Sequence, residues 1–246
     1  MLKLMKYELR KTWFSKLVLL VLTGAAELIF LVGILRKAEG NTAAGIGLLV
    51  FIATFGILYI GLDSLLVLNK DLNTKQGYML FMTPNSSYKI LGSKILENGI
   101  SIFLAGLFFI GLAYVDIQLV LNVYKGGQDI VKMVQEFLNQ FKVPVNLTFA
   151  GLSVYFLSAL AGWLSAVIIA AFSIVVSSTL LTGQKLNIFV SLALFLVLNY
   201  VAAKVAGLVP FSTDYSYYLV TSLIHLGIAA AAYVAACMLM DRKLSL

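Results

Sequence analysis

Six continuous apolar runs, each long enough to cross a bilayer, dominate this chain and leave little room for any other kind of fold. They fall at about Leu17 to Leu35, Ile46 to Leu68, Ile95 to Leu121, Leu147 to Ser178, Leu186 to Val209 and Tyr217 to Met240. A helix rises ~1.5 Å per residue and must satisfy its own backbone across ~30 Å of hydrocarbon, so ~20 apolar residues in a row read as a span. The runs do not alternate polar and apolar residues, which excludes a β-barrel. Composition agrees, with 61% hydrophobic residues, 12% charged residues and a mean hydropathy of +0.98. The expected fold class is an all-α membrane protein of six transmembrane helices, a single domain over 1–246.

Charge sets the expected orientation. Lys3, Lys6, Arg10, Lys11, Lys16, Lys70, Lys75, Lys89, Lys94, Lys185, Arg242 and Lys243 fall on one side of such a topology. Arg36, Lys37, Lys125, Lys132 and Lys142 fall on the other, and Lys204 lies inside a span. The positive-inside rule then puts both termini of this multi-pass chain in the cytoplasm, and a plasma-membrane location is expected. The net charge of +7 is accounted for by topology and contact with anionic lipid, with no need for nucleic acid. Cys237 is the only cysteine, so no intramolecular disulfide can form. A cleaved signal peptide is disfavoured, because Glu27 interrupts the first run and Arg36-Lys37 follows it without a small-residue cleavage pattern.

Between the runs, three segments stand out. Residues 1–16 read as an interfacial amphipathic helix, with Leu2, Met5, Leu9 and Trp13 on one face and Lys3, Lys6, Arg10 and Lys11 on the other. The alternative is a frayed basic tail. The polar segment 69–89 carries a short helical stretch from Asp71 to Leu80, then Pro84 and Asn85-Ser86-Ser87 to turn the chain and cap the third span. Its apolar cluster, Tyr78 to Met82, needs a surface to bury against, either the inner headgroups or a groove on a soluble partner. Over 126–143, Ile130, Val134, Phe137, Leu138 and Phe141 mark an extracellular amphipathic helix. Two small-residue stripes, Ser158, Gly162, Ala166, Ala170 and Gly227, Ala231, Ala235, suit close packing, within the chain or between subunits.

Catalytic chemistry is missing. No phosphate-binding loop G-x-x-x-x-G-K-[ST] is present, so the chain is not expected to hydrolyse ATP. One histidine and one cysteine cannot build a His/Cys metal centre, and no G-x-S-x-G context supports a serine nucleophile. Counting from the span ends sets Asp63 and Glu97 near the cytoplasmic side and Asp116 near the outside, so no pair of acids is expected at matching depth. Glu27 falls near mid-bilayer, where a charge demands a partner or water. Asn199, Lys204 and His225 lie at comparable depths and are its candidate partners, lining a polar pathway or making a structural hydrogen bond.

The opening Leu4-Met-Lys-Tyr-Glu-Leu-Arg-Lys-Thr12, and Gly77-Tyr-Met-Leu-Phe-Met-Thr-Pro84 followed by Ser86 and Gly92-Ser-Lys94, give the chain its resemblance to a family. The first stretch is similar to the interfacial elbow helix of the ABC-2-type transporter permeases. The second resembles their loop after span two, a G-x-x-x-L-x-x-P-x-S pattern followed by a Lys at the head of span three. The resemblance covers the whole length and implies a type V exporter-like architecture, the membrane subunit of an ATP-binding-cassette exporter. It also implies that 69–89 holds a coupling helix, with Asp71, Gly77, Tyr78, Leu80, Phe81 and Pro84 docking on a separate ATPase subunit. ATP and Mg would bind in that partner and no cofactor in this chain. A second permease, identical or related, would complete an alternating-access pathway for a peptide or other amphiphile. The competing readings are a stand-alone six-helix secondary transporter or small-solute binding component, and a membrane enzyme.

Overall fold

The computed structural model describes residues 2–73, 86–123, 149–180, 187–210 and 215–243. Within these, the regular elements are the helices α1 (Leu2–Lys11), α2 (Trp13–Leu35), α3 (Glu39–Asn73), α4 (Ser87–Val123), α5 (Phe149–Leu180), α6 (Asn187–Ala206) and α7 (Tyr215–Lys243). The last six are each long and apolar enough to cross a membrane. Of residues 1–16, α1 takes only Leu2–Lys11, because the chain bends at Thr12 and Trp13 opens the next helix. Lys3, Lys6 and Arg10 are exposed on α1, Leu4, Met5 and Leu9 are half-buried, and Trp13, at the start of α2, is exposed. The segment 126–143 lies outside the described residues.

α3 and α4 run well past the expected spans, at 35 and 37 residues. An apolar run ends at its first charges, but a helix continues through a charge that is paired, and Asp71 and Lys94 are both paired inside the fold.

The chain divides into two compact units. The first comprises residues 1–11, 61–100 and 148–246. There α5 packs against α6 and α7, around a core of Leu68, Leu91, Ala171, Val175, Cys237 and Met240. The buried small residues of α7 are Ala229, Ala236 and Cys237, whereas Gly227 and Ala231 are exposed, so the stripe drawn from spacing is not the packed face of that helix. Gly61 is required by close approach: a Cβ there would lie 2.1 Å from the Trp163 ring. The Trp163 indole in turn donates to Asn98 Oδ1 (3.4 Å), and Asn98 Nδ2 donates to the Gly61 carbonyl (2.9 Å).

The second unit comprises residues 12–60 and 101–147 and contains α2 with the adjoining stretches of α3 and α4. α2 and α3 form a tight helical hairpin. The Ala38 N–H donates to the Gly33 carbonyl and the Lys37 N–H to that of Ile34, a Schellman closure with Lys37 in the left-handed region at φ 51°. Gly45 lets the helices touch, because a Cβ there would lie 2.6 Å from the Phe30 Cα. α2 and α4 are held in register where Lys16 Nζ donates to Ser101 Oγ at 2.6 Å. The core here is Ala26, Phe30, Ile34, Leu49 and Val120.

Candidate functional site

Four charged side chains meet in the first unit at the two helix ends that bracket residues 74–85. Lys94, about two turns into α4, extends its ammonium to Glu8 Oε2 on α1 (2.8 Å) and to Asp71 Oδ2 near the end of α3 (2.6 Å). Lys11 closes the group from the last turn of α1, with Nζ 2.9 Å from Asp71 Oδ2 and 3.6 Å from Glu8 Oε1. The side chains of Lys94, Glu8 and Asp71 are only 4%, 5% and 7% exposed, and that of Lys11 is 26% exposed. Two cations and two anions alternate, so the group is neutral and every charge has an opposite neighbour.

Such a cluster forms only if the geometry is good, because removing a charge from water costs several kcal/mol that the partner must return. The geometry is good here: three bonds fall between 2.6 and 2.9 Å, the range of charge-assisted hydrogen bonds. Burial disfavours the charged form of Lys11, but its hydrogen bond to Asp71, helped by the charges of Glu8 and Asp71, outweighs this and holds the ammonium above its ordinary value. Lys11 also sits over the Tyr7 ring, 4.9 Å from its centroid. Around the cluster, Ser64 Oγ donates to the Lys94 carbonyl (3.5 Å), and Ser87 on the first turn of α4 donates to Asp241 on α7. The bonds tie α1, α3 and α4 into one junction through side chains that lie 23 to 86 positions apart.

Asp71 is the one residue of the expected docking set within the described residues, and its carboxylate faces Lys11 and Lys94 inside the junction. Gly77, Tyr78, Leu80, Phe81 and Pro84 lie outside them. Lys94, which local spacing sets beside Glu97, meets Glu8 and Asp71, and Glu8 is a residue that the sequence reading passes over. A glutamate in a basic helix carries no periodic signal of burial. The available hint is that Asp71 and Lys94 stand at facing ends of consecutive helices.

Glu27 belongs to the second compact unit, and its candidate partners Asn199, Lys204 and His225 to the first. In the second unit the carboxyl groups of Glu27 and Asp116 face one another within hydrogen-bonding reach. This corrects the expectation that no acids pair. Counting α4 from Lys94 sets Asp116 too far out, whereas within the second unit Lys16 of α2 meets Ser101 of α4, and depth counted from that contact brings Asp116 nearer Glu27. In the first unit Asn199 donates to the Phe195 carbonyl (3.0 Å), His225 Nδ1 is 2.7 Å from the Thr221 carbonyl, and Lys204 lies over Tyr200 (5.6 Å), each within its own helix. Among the described residues, no three His, Cys, Asp or Glu side chains come together as a metal-binding group. Compared with known proteins, the chain matches no family model, no curated protein and no solved structure.

Proposed function

We propose that the chain is the permease subunit of an ABC-2-type exporter, lying in the plasma membrane with both termini in the cytoplasm. A separate ATPase subunit docks on 69–89 and supplies the energy, and a second permease, identical or related, completes the pathway for a peptide or other amphiphile. The observation that supports this reading is the buried junction of Glu8, Lys11, Asp71 and Lys94 at the roots of that segment. A segment that receives force from a soluble motor must be anchored stiffly at both ends, since a solvated tether slackens instead of pulling. Here both ends are fastened to each other and to the amphipathic α1, so a displacement of 74–85 moves α1, α3 and α4 together. The role this gives Asp71 is to position the segment, leaving Tyr78, Leu80 and Phe81 as the docking contacts.

A second reading, a stand-alone secondary transporter, is favoured by the Glu27–Asp116 pair, because facing acids inside a span are a common basis for ion coupling. Purification separates the two. An exporter subunit is recovered with a soluble ATPase, and replacing Tyr78, Leu80 and Phe81 by Ser releases the ATPase while leaving the six-helix protein intact. Full transport by the chain reconstituted without any ATPase would refute the permease reading and establish the other.

A further inference from the structure

In the second unit, α2, α3 and α4 line a half-open cavity of about 230 Å³. Phe30, Leu49, Phe109, Leu112 and Val120 are among its walls, and Asp116 is the one polar residue among the described residues that line it. Asp116 is only 8% exposed, and its Oδ1 has no hydrogen-bond partner. Behind it stands Glu27, whose Oε2 is likewise buried and unpartnered. An unsatisfied buried acceptor is costly, and a protein that needed only a structural hydrogen bond here could use Asn and Gln without placing two acids face to face. Two facing carboxyl groups hydrogen-bond only by keeping a proton between them, or else they require a cation.

The liners decide which cation fits. A metal ion of the alkali or alkaline-earth type needs about six or more oxygen ligands, and even the two carboxyl groups together, set in an apolar wall, do not supply them. An ammonium ion attached to an apolar body needs only one anionic contact and gains from the remaining surface. A dry cavity of ~150 Å³ accommodates benzene, so this larger one has room for an aromatic ring with a short cationic branch. We infer that the Asp116 cavity is a binding site for a small organic cation with an apolar body, its positive end on the Asp116 carboxyl group and its body among the phenylalanine and leucine walls. The site requires neither an ATPase nor a second permease, so it stands or falls apart from the transport reading.

The test is equilibrium binding of radiolabelled benzyltrimethylammonium to the full chain purified in detergent. Expected are saturable binding to the wild type, affinity weakened by about tenfold or more in Asp116→Asn, and loss of binding in Ala53→Phe, which fills the cavity and leaves both carboxyl groups in place. Neopentylbenzene, the uncharged isostere, should compete at least about tenfold less well than unlabelled probe. No saturable binding by the wild type, or equal competition by the neutral isostere, overturns the proposal. So does unchanged affinity in Asp116→Asn. Should Asp116→Asn fail to fold, the isostere comparison on the wild-type protein still decides the matter.

Discussion

Replacing Lys94 by Met removes a charge while keeping much of the side chain's apolar length, so it isolates the electrostatic part of the junction. In the wild type the cluster is neutral, with Lys11 and Lys94 against Glu8 and Asp71. Without Lys94 the four-residue cluster keeps two carboxylates and one cation, Lys11, and both acids are nearly inaccessible to water, at 4% and 5% exposure. Breaking a buried ion pair from one side costs ~3–5 kcal/mol. For a chain of this size ~1 kcal/mol moves the melting midpoint by roughly 2–4 °C, so the midpoint should fall by roughly 6–20 °C. The assay is built into the protein: Cys237 is the sole cysteine and is fully buried, so a thiol-reactive fluorogenic dye reports unfolding as that side chain becomes exposed. The charge argument makes a second, sharper claim. Glu8→Gln combined with Lys94→Met restores neutrality and should melt at a higher temperature than Lys94→Met alone. If the double variant is instead worse than the single one, or if Lys94→Met melts no lower than Lys70→Met, whose parent lysine is exposed, the reasoning is refuted.

Gly45→Ala should lower the midpoint by the equivalent of ~1–3 kcal/mol because the new Cβ meets the Phe30 backbone, whereas Gly47→Ala, with nothing within 4 Å, should leave it level or raise it; thermal scans of the two compare them directly. Lys37→Gly should stabilise the protein by about 1 kcal/mol in the same assay, since it removes the left-handed penalty at φ 51°. Because Lys11 is held above its ordinary value, its contribution is complete below the unfolded lysine range and is lost only as pH rises through the raised folded value. The midpoint difference between wild type and Lys11→Gln should therefore stay constant through neutral pH and shrink only under strongly alkaline conditions.

The spans are legible because an apolar run in lipid has one solution, and the described part of each run is helical except at residues 207–209. Helix ends are less so. Lys94 looks like a boundary when read with its neighbours, yet it sits inside α4, since Glu8 and Asp71 neutralise it from other helices. Local spacing cannot see partners 86 and 23 positions away. The pairing of Glu27 with Asp116 escapes for a related reason: depth is counted from a loop end, while the register of α4 against α2 is fixed by Lys16 and Ser101. Asp71 stands out in the sequence as important, but for contact with a partner; its place among Glu8, Lys11 and Lys94 follows from tertiary geometry alone.

α3 passes from Ile60 to Gly61, and α4 from Ile100 to Ser101, without a break in the helix, although each crosses from one compact unit to the other at that point. One residue inserted into α3 between Gly61 and Asp71, both packed inside the first unit, would turn one against the other by ~100°. Asp71 would swing off Lys94, or Gly61 off Trp163, unless a bulge absorbed the extra residue. The exposed faces of these two helices can change residue by residue at small cost. Between Gly61 and Asp71 the residue count is fixed far more tightly than the composition, so a viable length variant of this stretch should carry a whole extra turn or a bulge.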